Sequence, residues 1–112
     1  MRKSKGKRLR IFLGEADKAD HMPLYEWILK QAIKYNMSGA TAVRGIEGFG
    51  SKQQMHSNKI MRLSQNLPVI VELVDVSDKV ESFLETIEAE IKDLHATLED
   101  VEILTATLGD EE

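Results

Sequence analysis

The sequence predicts an α+β protein with the ferredoxin-like βαββαβ plan, a sandwich of one four-stranded antiparallel sheet and two helices on one face. Four segments carry the residue pattern of strands, and amphipathic segments of helical period separate the first strand from the second and the third from the fourth. The other sheet face is left uncovered, and its expected residues include Thr41, Val43, Ile70 and Ile103. An open face of this kind favours oligomerisation.

The first half of the chain supplies one strand and one helix before the second strand begins. The segment RLRIFLG (Arg8–Gly14) alternates polar and apolar residues, which predicts a strand. The segment from Pro23 to Asn36 places two apolar columns side by side at helical spacing, which predicts an amphipathic helix with Pro23 in its first turn. We interpret the basic residues 2–7 as a solvated tail.

The later elements are predicted from the same two patterns, the alternation typical of a strand and the spacing typical of a helix. ATAVRGI (40–46) is rich in small and β-branched residues and predicts the second strand. The run of branched apolar residues in 66–76 predicts a central strand buried on both faces, with Pro68 at its start because proline cannot donate to a ladder. One apolar stripe predicts a helix over 77–94, capped by Ser77, and the pattern of 101–108 predicts the last strand.

Composition is typical of a globular protein and predicts a single domain over residues 1–112. The chain is 42% hydrophobic and 30% charged, and it contains no cysteine. No apolar run approaches the roughly 20 residues that span a bilayer. We therefore expect a cytoplasmic protein that is not embedded in a membrane.

Charge is distributed unevenly along the chain. Residues 1–62 contain 13 Lys and Arg against 5 Asp and Glu, whereas residues 63–112 contain 2 against 14. Such a split can indicate a nucleic-acid contact or two surfaces that attract each other between subunits. The acidic second half and the few aromatic residues make nucleic acid the weakest alternative, and we expect none as a partner.

The long segment at about 47–65 is the strongest indication of a binding function. Glycines lie just before it (Gly45) and at its start (Gly48 and Gly50), and a basic, amide-rich run follows. Glycine-rich backbone can turn its N–H groups onto an anion, and Lys52 would add a point charge to a phosphate. Alternatively, Gly45 and Gly48 simply let the strand bend out of the sheet.

The sequence contains no convincing catalytic motif, so we expect a non-enzyme. His21, His56 and His95 lie in three separate segments without metal-ligand spacing. Arg44, in the second strand, is a candidate for a phosphate contact or for a neighbouring subunit's carboxylate such as Glu72. The alternative for Arg44 is an exposed cross-strand pair of little energetic value.

Three short segments occur in a fixed order within a frame that runs from Arg8 to Thr107: PLYEWIL, GATAVRGIEGFG and LPVIVELVD. This arrangement resembles the PII-like signalling proteins and, among them, the uncharacterised family called domain of unknown function 190. The resemblance implies a PII-like homotrimer whose segment 47–65 corresponds to the T-loop. It also implies an adenine nucleotide (ATP, ADP or AMP) in a cleft between subunits, and a partner protein such as a membrane transporter that the loop engages.

The resemblance, together with the residues themselves, predicts a nucleotide site and no required cofactor. The predicted site residues are Arg44, Gly45, Gly48, Phe49, Gly50, Ser51, Lys52 and Glu72. The chain departs from true PII proteins in three places. HATLED stands where they carry a glycine-rich phosphate loop, residues 47–65 contain no tyrosine, and the chain ends in GDEE.

A rival interpretation keeps the architecture and changes the ligand. The chain would then be a trimer that resembles the divalent-cation tolerance proteins and binds no nucleotide. Met55, His56 and Met61 would be the place to look for a soft metal.

Overall fold

The computed structural model describes residues 1–48 and 66–106 of the chain. The helices and strands within these ranges follow the predicted order, with an additional short hairpin before the first helix. They are β1 Arg2–Gly14, β2 Lys18–Ala19, β3 Met22–Pro23, α1 Leu24–Lys34, β4 Ala40–Arg44, β5 Pro68–Val76, α2 Ser77–Glu88 and β6 Ala96–Thr105.

The predicted ferredoxin-like plan is confirmed. Strands β4, β5, β1 and β6 form one sheet in that order, and every neighbouring pair is antiparallel. Strands β2 and β3 form a separate two-stranded hairpin. Proline at the start of β5 is also confirmed, since Pro68 is the first residue of that strand.

Both helices pack on the same face of the sheet, because alternate strand residues and one stripe of each helix are apolar. The buried core lies between these layers and consists of Leu9, Ile11, Ile28, Ala32, Val69, Val71, Leu73, Val80, Phe83 and Ile87. Burying one such side chain contributes roughly 1.5–3 kcal/mol. The helix-facing residues of β5 are buried, whereas those of its other face are half-buried from Pro68 to Val74 and exposed at Val76, so this strand is fully covered on one face only.

The open face carries the residues that the sequence predicted for it. Thr41 pairs with Glu72, and Val43 pairs with Ile70, which in turn pairs with Phe12 on β1. Directly opposed residues share a face, and these alternate with the buried residues of the same strands. Ile103 belongs to the same face through its pairing with Ser4.

The first strand is longer than predicted, and the interpretation of residues 2–7 as a solvated tail is wrong. The strand begins at Arg2, and its first residues pair with β6 beyond the end of β5, from Arg2 opposite Thr105 to Lys5 opposite Glu102. At its other end β6 begins at Ala96, opposite Ile11 of β1, well before the predicted start at residue 101. Its length is set by β1, a partner distant in sequence.

The second helix is shorter than predicted, because the chain leaves the helix at Glu88 to reach β6. Ile91 and Leu94 continue the helical spacing and still pack against the core, but from the connection between α2 and β6. Asp93 has a φ of 55° in this connection. A periodic apolar stripe thus marks contact with the core rather than the extent of the helix.

The uneven charge distribution is explained by pairing within the chain. The basic strand β1 lies beside the acidic strand β6, with Lys7 opposite Asp100 and Arg8 opposite Glu99. Both pairs are hydrogen-bonded, with 2.9 Å between Arg8 Nε and Glu99 Oε1. The hydrogen bond from Arg8 lowers the pKa of Glu99, and that from Lys7 lowers the pKa of Asp100. Exposed pairs of this kind stabilise a fold only weakly, but they leave less net charge for an outside partner.

Asp75 is the one charged side chain that is buried in the described part of the chain, and it joins three elements. It accepts hydrogen bonds from the Ser38 N–H at 2.8 Å, from Ser38 Oγ at 3.0 Å and from the Val76 N–H at 2.7 Å. These contacts tie the connection before β4 to the junction of β5 and α2. The prediction that Ser77 caps α2 is wrong, since Val76 holds the cap position and makes no side-chain cap bond.

We predict that replacing Asp75 weakens the fold and changes its pH dependence. Burial acts to raise the pKa of Asp75, but the hydrogen bonds from Ser38 and Val76 and the charge of Lys79 outweigh it and hold the pKa below its usual value. A carboxylate with a lowered pKa stabilises the fold above its unfolded pKa, and this contribution is lost as the pH falls through the folded-state value. Asp75→Ala should lower the free energy of unfolding at pH 7 by roughly 1–3 kcal/mol, because it leaves buried donors unpaired.

Urea denaturation at pH 7 and near pH 3 measures this effect. Ser38→Ala is the matched control, because it removes only the hydroxyl donor and should cost less. The difference between the wild type and Asp75→Asn should shrink at the lower pH. A difference that is the same at both values would contradict an ionised Asp75 in the fold.

Candidate functional site

The candidate site is built around the two points where the long segment between β4 and β5 joins the sheet. Immediately after β4, the Gly45 N–H donates to the carbonyl oxygen of Pro68, the first residue of β5, at 2.7 Å. This bond extends the pairing of β4 with β5 by one residue. It therefore holds the incoming and outgoing ends of the segment side by side.

Two glycines permit this close approach. A Cβ atom added to Gly45 would lie 2.8 Å from Pro68 Cγ, and one added to Gly48 would lie 3.2 Å from the same atom. Gly48 also has a φ of 155°, a conformation that other residues rarely adopt. Both glycines thus have a steric reason to be where they are.

The turn after β1 fastens the outgoing end of the segment. The Glu15 N–H donates to the carbonyl oxygen of Leu67 at 2.7 Å, and the Ala16 N–H donates to Asn66 Oδ1 at 3.2 Å. The turn is itself held by Asp17, whose Oδ2 accepts from the Gly14 N–H at 2.9 Å. We call residues 14–17, 44–48 and 66–68 together the loop base.

The same turn also holds the incoming end, through an ion pair. Arg44 Nη1 lies 2.8 Å from Glu15 Oε2. The Arg44 side chain is 61% exposed and that of Glu15 is 24% exposed. Glu15 therefore bonds one end of the segment through its backbone and the other end through its carboxylate, while more than half of the Arg44 side chain remains open to solvent.

A shallow groove of about 480 Å³ runs beside β4 and β5. A volume of this size is within the usual range for small-molecule sites. Its lining includes Ser38, Gly39, Thr41, Val43, Glu72 and Val74. A Cβ atom added to Gly39 would meet nothing within 4 Å, and its φ lies outside the range that favours glycine. Packing within the described chain thus gives no reason for glycine at this position.

Glu72 projects into the groove side of the sheet, where Arg10 holds it. Arg10 Nε donates to Glu72 Oε1 at 3.1 Å, and each side chain is 38% exposed. Glu72 pairs with Thr41 in the sheet, whereas Arg44 pairs with Val69, a buried residue of the helix-covered face. Arg44 and Glu72 therefore belong to opposite faces, and one chain does not bring them together.

The predicted site residues divide into three groups. Arg44, Gly45 and Gly48 come together at the loop base, and Glu72 lies in the groove on the opposite face. The predicted residues Phe49, Gly50, Ser51 and Lys52 lie outside the described residues, as do Met55, His56 and Met61 of the metal alternative. The nucleotide site as a whole stays a prediction.

Sequence reasoning missed Glu15, Asn66 and the open position of Gly39. Glu15 and Asn66 act through contacts with residues far away in the chain, and no local period or spacing marks them. Gly39 is one of four glycines in GATAVRGIEGFG, and no residue pattern sets it apart from the others. Only its empty surroundings distinguish it from the glycines that a close packing contact requires.

Within the described ranges, the structure contains neither a candidate metal site nor a helix that could span a membrane. Residues 1–48 and 66–106 contain no group of three or more His, Cys, Asp or Glu side chains placed to hold a metal ion. Neither α1 nor α2 is long and apolar enough to cross a membrane.

Comparison with protein families finds a match over nearly the whole frame. Residues 6–103 match the family DUF190, described as "Uncharacterized ACR". A UPF0166 protein of Aquifex aeolicus is 38% identical over 104 residues, which cover 93% of this chain and 98% of the relative. A UPF0166 protein of Methanocaldococcus jannaschii is 40% identical over 80 residues, 71% of this chain and 73% of that one.

Solved structures that share this fold include PII-like proteins. A putative PII-like signaling protein from Thermus thermophilus superimposes with a TM-score of 0.65 at 15% identity, covering 93% of this chain and 94% of the other. CPII from Thiomonas intermedia, bound to ADP and bicarbonate, has a TM-score of 0.60 at 19% identity, with 91% of both chains covered. At these identities the likeness establishes the fold, and the predicted PII-like version of the ferredoxin-like fold is thereby confirmed.

We predict that Gly45→Ala destabilises the protein and that Gly39→Ala does not. The new methyl group at position 45 would overlap Pro68, and relieving an overlap in a tightly packed place costs roughly 1–3 kcal/mol. The methyl group at position 39 would enter open space. Thermal unfolding of both variants measures the difference in stability. In Gly39→Ala, hydrogen exchange at the Gly45 amide checks that its bond to Pro68 is kept. Equal stability of the two variants would show that the approach of Gly45 to Pro68 is not a constraint on the fold.

Proposed function

The chain belongs to the DUF190 family, and we propose that it is a single-domain, non-catalytic regulatory protein of the PII-like type. In this proposal it binds an adenine nucleotide at the loop base and presents segment 47–65 to a partner protein. The observation that carries the proposal is the loop base itself. Backbone bonds and the Arg44–Glu15 pair hold both ends of the segment on a rigid sheet, beside an exposed guanidinium.

A phosphate at the loop base would act on both ends of the segment together. Arg44 supplies a guanidinium that suits phosphate geometry, and we propose that Gly48–Phe49–Gly50 and Lys52 complete the anion site. A ligand that binds one conformation of the segment in preference shifts the population towards it. A partner protein, for example a membrane transporter, would then bind that conformation.

The nucleotide site is proposed to lie between two copies of the chain in a homotrimer. Its support is the placement of the loop base and the groove on opposite faces of β4. A ligand that contacts both Arg44 and Glu72 must take one of them from a neighbouring subunit. The open sheet face, with Val43 55% exposed beside Ile70 and Phe12, offers apolar surface for such an association.

The solved structures support the choice of ligand. CPII is described as a nitrogen regulatory PII-like protein and has been crystallised with ADP, AMP and bicarbonate. Its likeness to this chain is one of fold, so the transfer of an adenine nucleotide to this protein is our proposal. Which of ATP, ADP and AMP binds is decided by experiment.

We predict that one adenine nucleotide stabilises the purified protein and that Lys52→Ala abolishes the effect. A ligand at about 100 times its dissociation constant adds roughly 2.7 kcal/mol per site, which raises the melting temperature by several degrees. Thermal shift with ATP, ADP and AMP, with and without Mg²⁺, measures the effect, and calorimetry gives the affinity. Lys59→Ala is the matched control, because it removes the same charge from the same segment away from the glycines.

Gly39→Leu tests the groove separately, because its side chain would enter the open space beside β4. It should lower nucleotide affinity by about tenfold or more, consistent with the loss of about 1.4 kcal/mol, while the unliganded protein keeps its melting temperature.

A melting temperature that rises with a divalent metal and with no nucleotide would instead favour the metal-binding trimer. Nucleotide binding that survives Lys52→Ala would contradict the proposed phosphate site.

A further inference from the structure

We infer that Glu15 is a charge-selective competitor at the loop base, where its carboxylate occupies Arg44 and disfavours ligands of higher negative charge. The inference rests on the proposed function, because it assigns a role in specificity at the same site. It goes beyond that function by naming a residue that decides among phosphate ligands.

The geometry places the competing carboxylate where an anion would bind. Glu15 Oε2 accepts from Arg44 Nη1 at 2.8 Å, a distance typical of a charge-assisted hydrogen bond. Its backbone N–H donates to the Leu67 carbonyl oxygen at 2.7 Å, which fixes the point in the backbone from which the side chain reaches Arg44. A phosphate that approaches the exposed part of Arg44 must displace this carboxylate or lie close to it.

Electrostatics makes the outcome depend on ligand charge. Two like charges repel more strongly at the effective dielectric of a protein surface than they do in bulk water. Each additional phosphate brings further negative charge near Glu15. The turn after β1 that holds Arg44 carries two carboxylates, on Glu15 and Asp17. Its charge therefore favours a nucleotide with few phosphates.

Two other carboxylates near the site are less suited to this role. Asp17 directs its Oδ2 to the Gly14 N–H within its own turn, at 2.9 Å. Glu72 belongs to the opposite face and pairs with Arg10. Glu15 both hydrogen-bonds Arg44 and, through its backbone, touches the outgoing end of the long segment. Displacing its side chain would thus be felt on both sides of the loop base.

The test uses Glu15→Gln, which keeps the length of the side chain and an acceptor for Arg44 but removes the charge. Calorimetric titration of the full-length protein with AMP, ADP and ATP, without Mg²⁺ and at low salt, measures the affinities. We expect Glu15→Gln to bind all three more tightly, by about fivefold for AMP if the exposed pair is worth about 1 kcal/mol. The gain should increase from AMP to ADP to ATP.

A control removes the same charge elsewhere. Glu26→Gln lies on α1, where Glu26 is within 4.0 Å of Lys30, and it lowers the total negative charge equally. Its affinities should change much less than those of Glu15→Gln, because Glu26 pairs with Lys30 whereas Glu15 pairs with Arg44. Equal gains for AMP, ADP and ATP in Glu15→Gln, or no gain, would overturn the inference while leaving the proposed function intact.

Inorganic pyrophosphate separates failure of the inference from failure of the proposed function. Its binding is monitored through the NMR signals of the amides at positions 15 and 16, in the wild type and in Glu15→Gln. If no nucleotide binds but pyrophosphate binds more tightly to the variant, the proposed function fails and the competition at Arg44 stands. If neither probe binds either protein, both fail.

Discussion

The loop base depends on the close approach of two backbone segments, at Gly45 and Pro68. A hydrogen bond of 2.7 Å joins them, and no side chain other than hydrogen fits at position 45 without displacing the proline ring. Because the sheet is packed against two helices, this closure is held from behind by the buried core. The long segment therefore leaves and returns to the sheet at one fixed place, whatever conformation it adopts beyond it.

The central strand β1 determines which charges remain available for binding. Its basic residues lie between β5 and the acidic strand β6, and Lys7, Arg8 and Arg10 each have a carboxylate partner within the chain. Strand pairing thus brings basic residues of the first half beside acidic residues of the second. At the loop base, by contrast, Arg44 is paired on one side and mostly exposed. That combination suits a ligand that competes with an internal partner.

The sequence predicted what depends on local periodicity and missed what depends on distant partners. The order of elements, the open-face residues and Pro68 at a strand start followed from residue patterns. Residues 2–5 and the start of β6 did not, because the former pair only with the end of β6 and the latter pairs with residues 7–11 of β1. The same limit applies to the site. Arg44 was recognised from its neighbours in sequence, whereas Glu15 reaches it across 29 positions.

The division of the candidate site between two faces of β4 is also an argument about assembly. A strand turns successive side chains to opposite faces, so Thr41 and Val43 face the groove while Arg44 faces the other way. A ligand of nucleotide size cannot pass through the sheet to reach both. If both faces contribute to one site, the second face must come from another copy, and the edge position of β4 leaves room for it. Oligomerisation would then complete the site as well as cover apolar surface, which links ligand binding to assembly through the same strand.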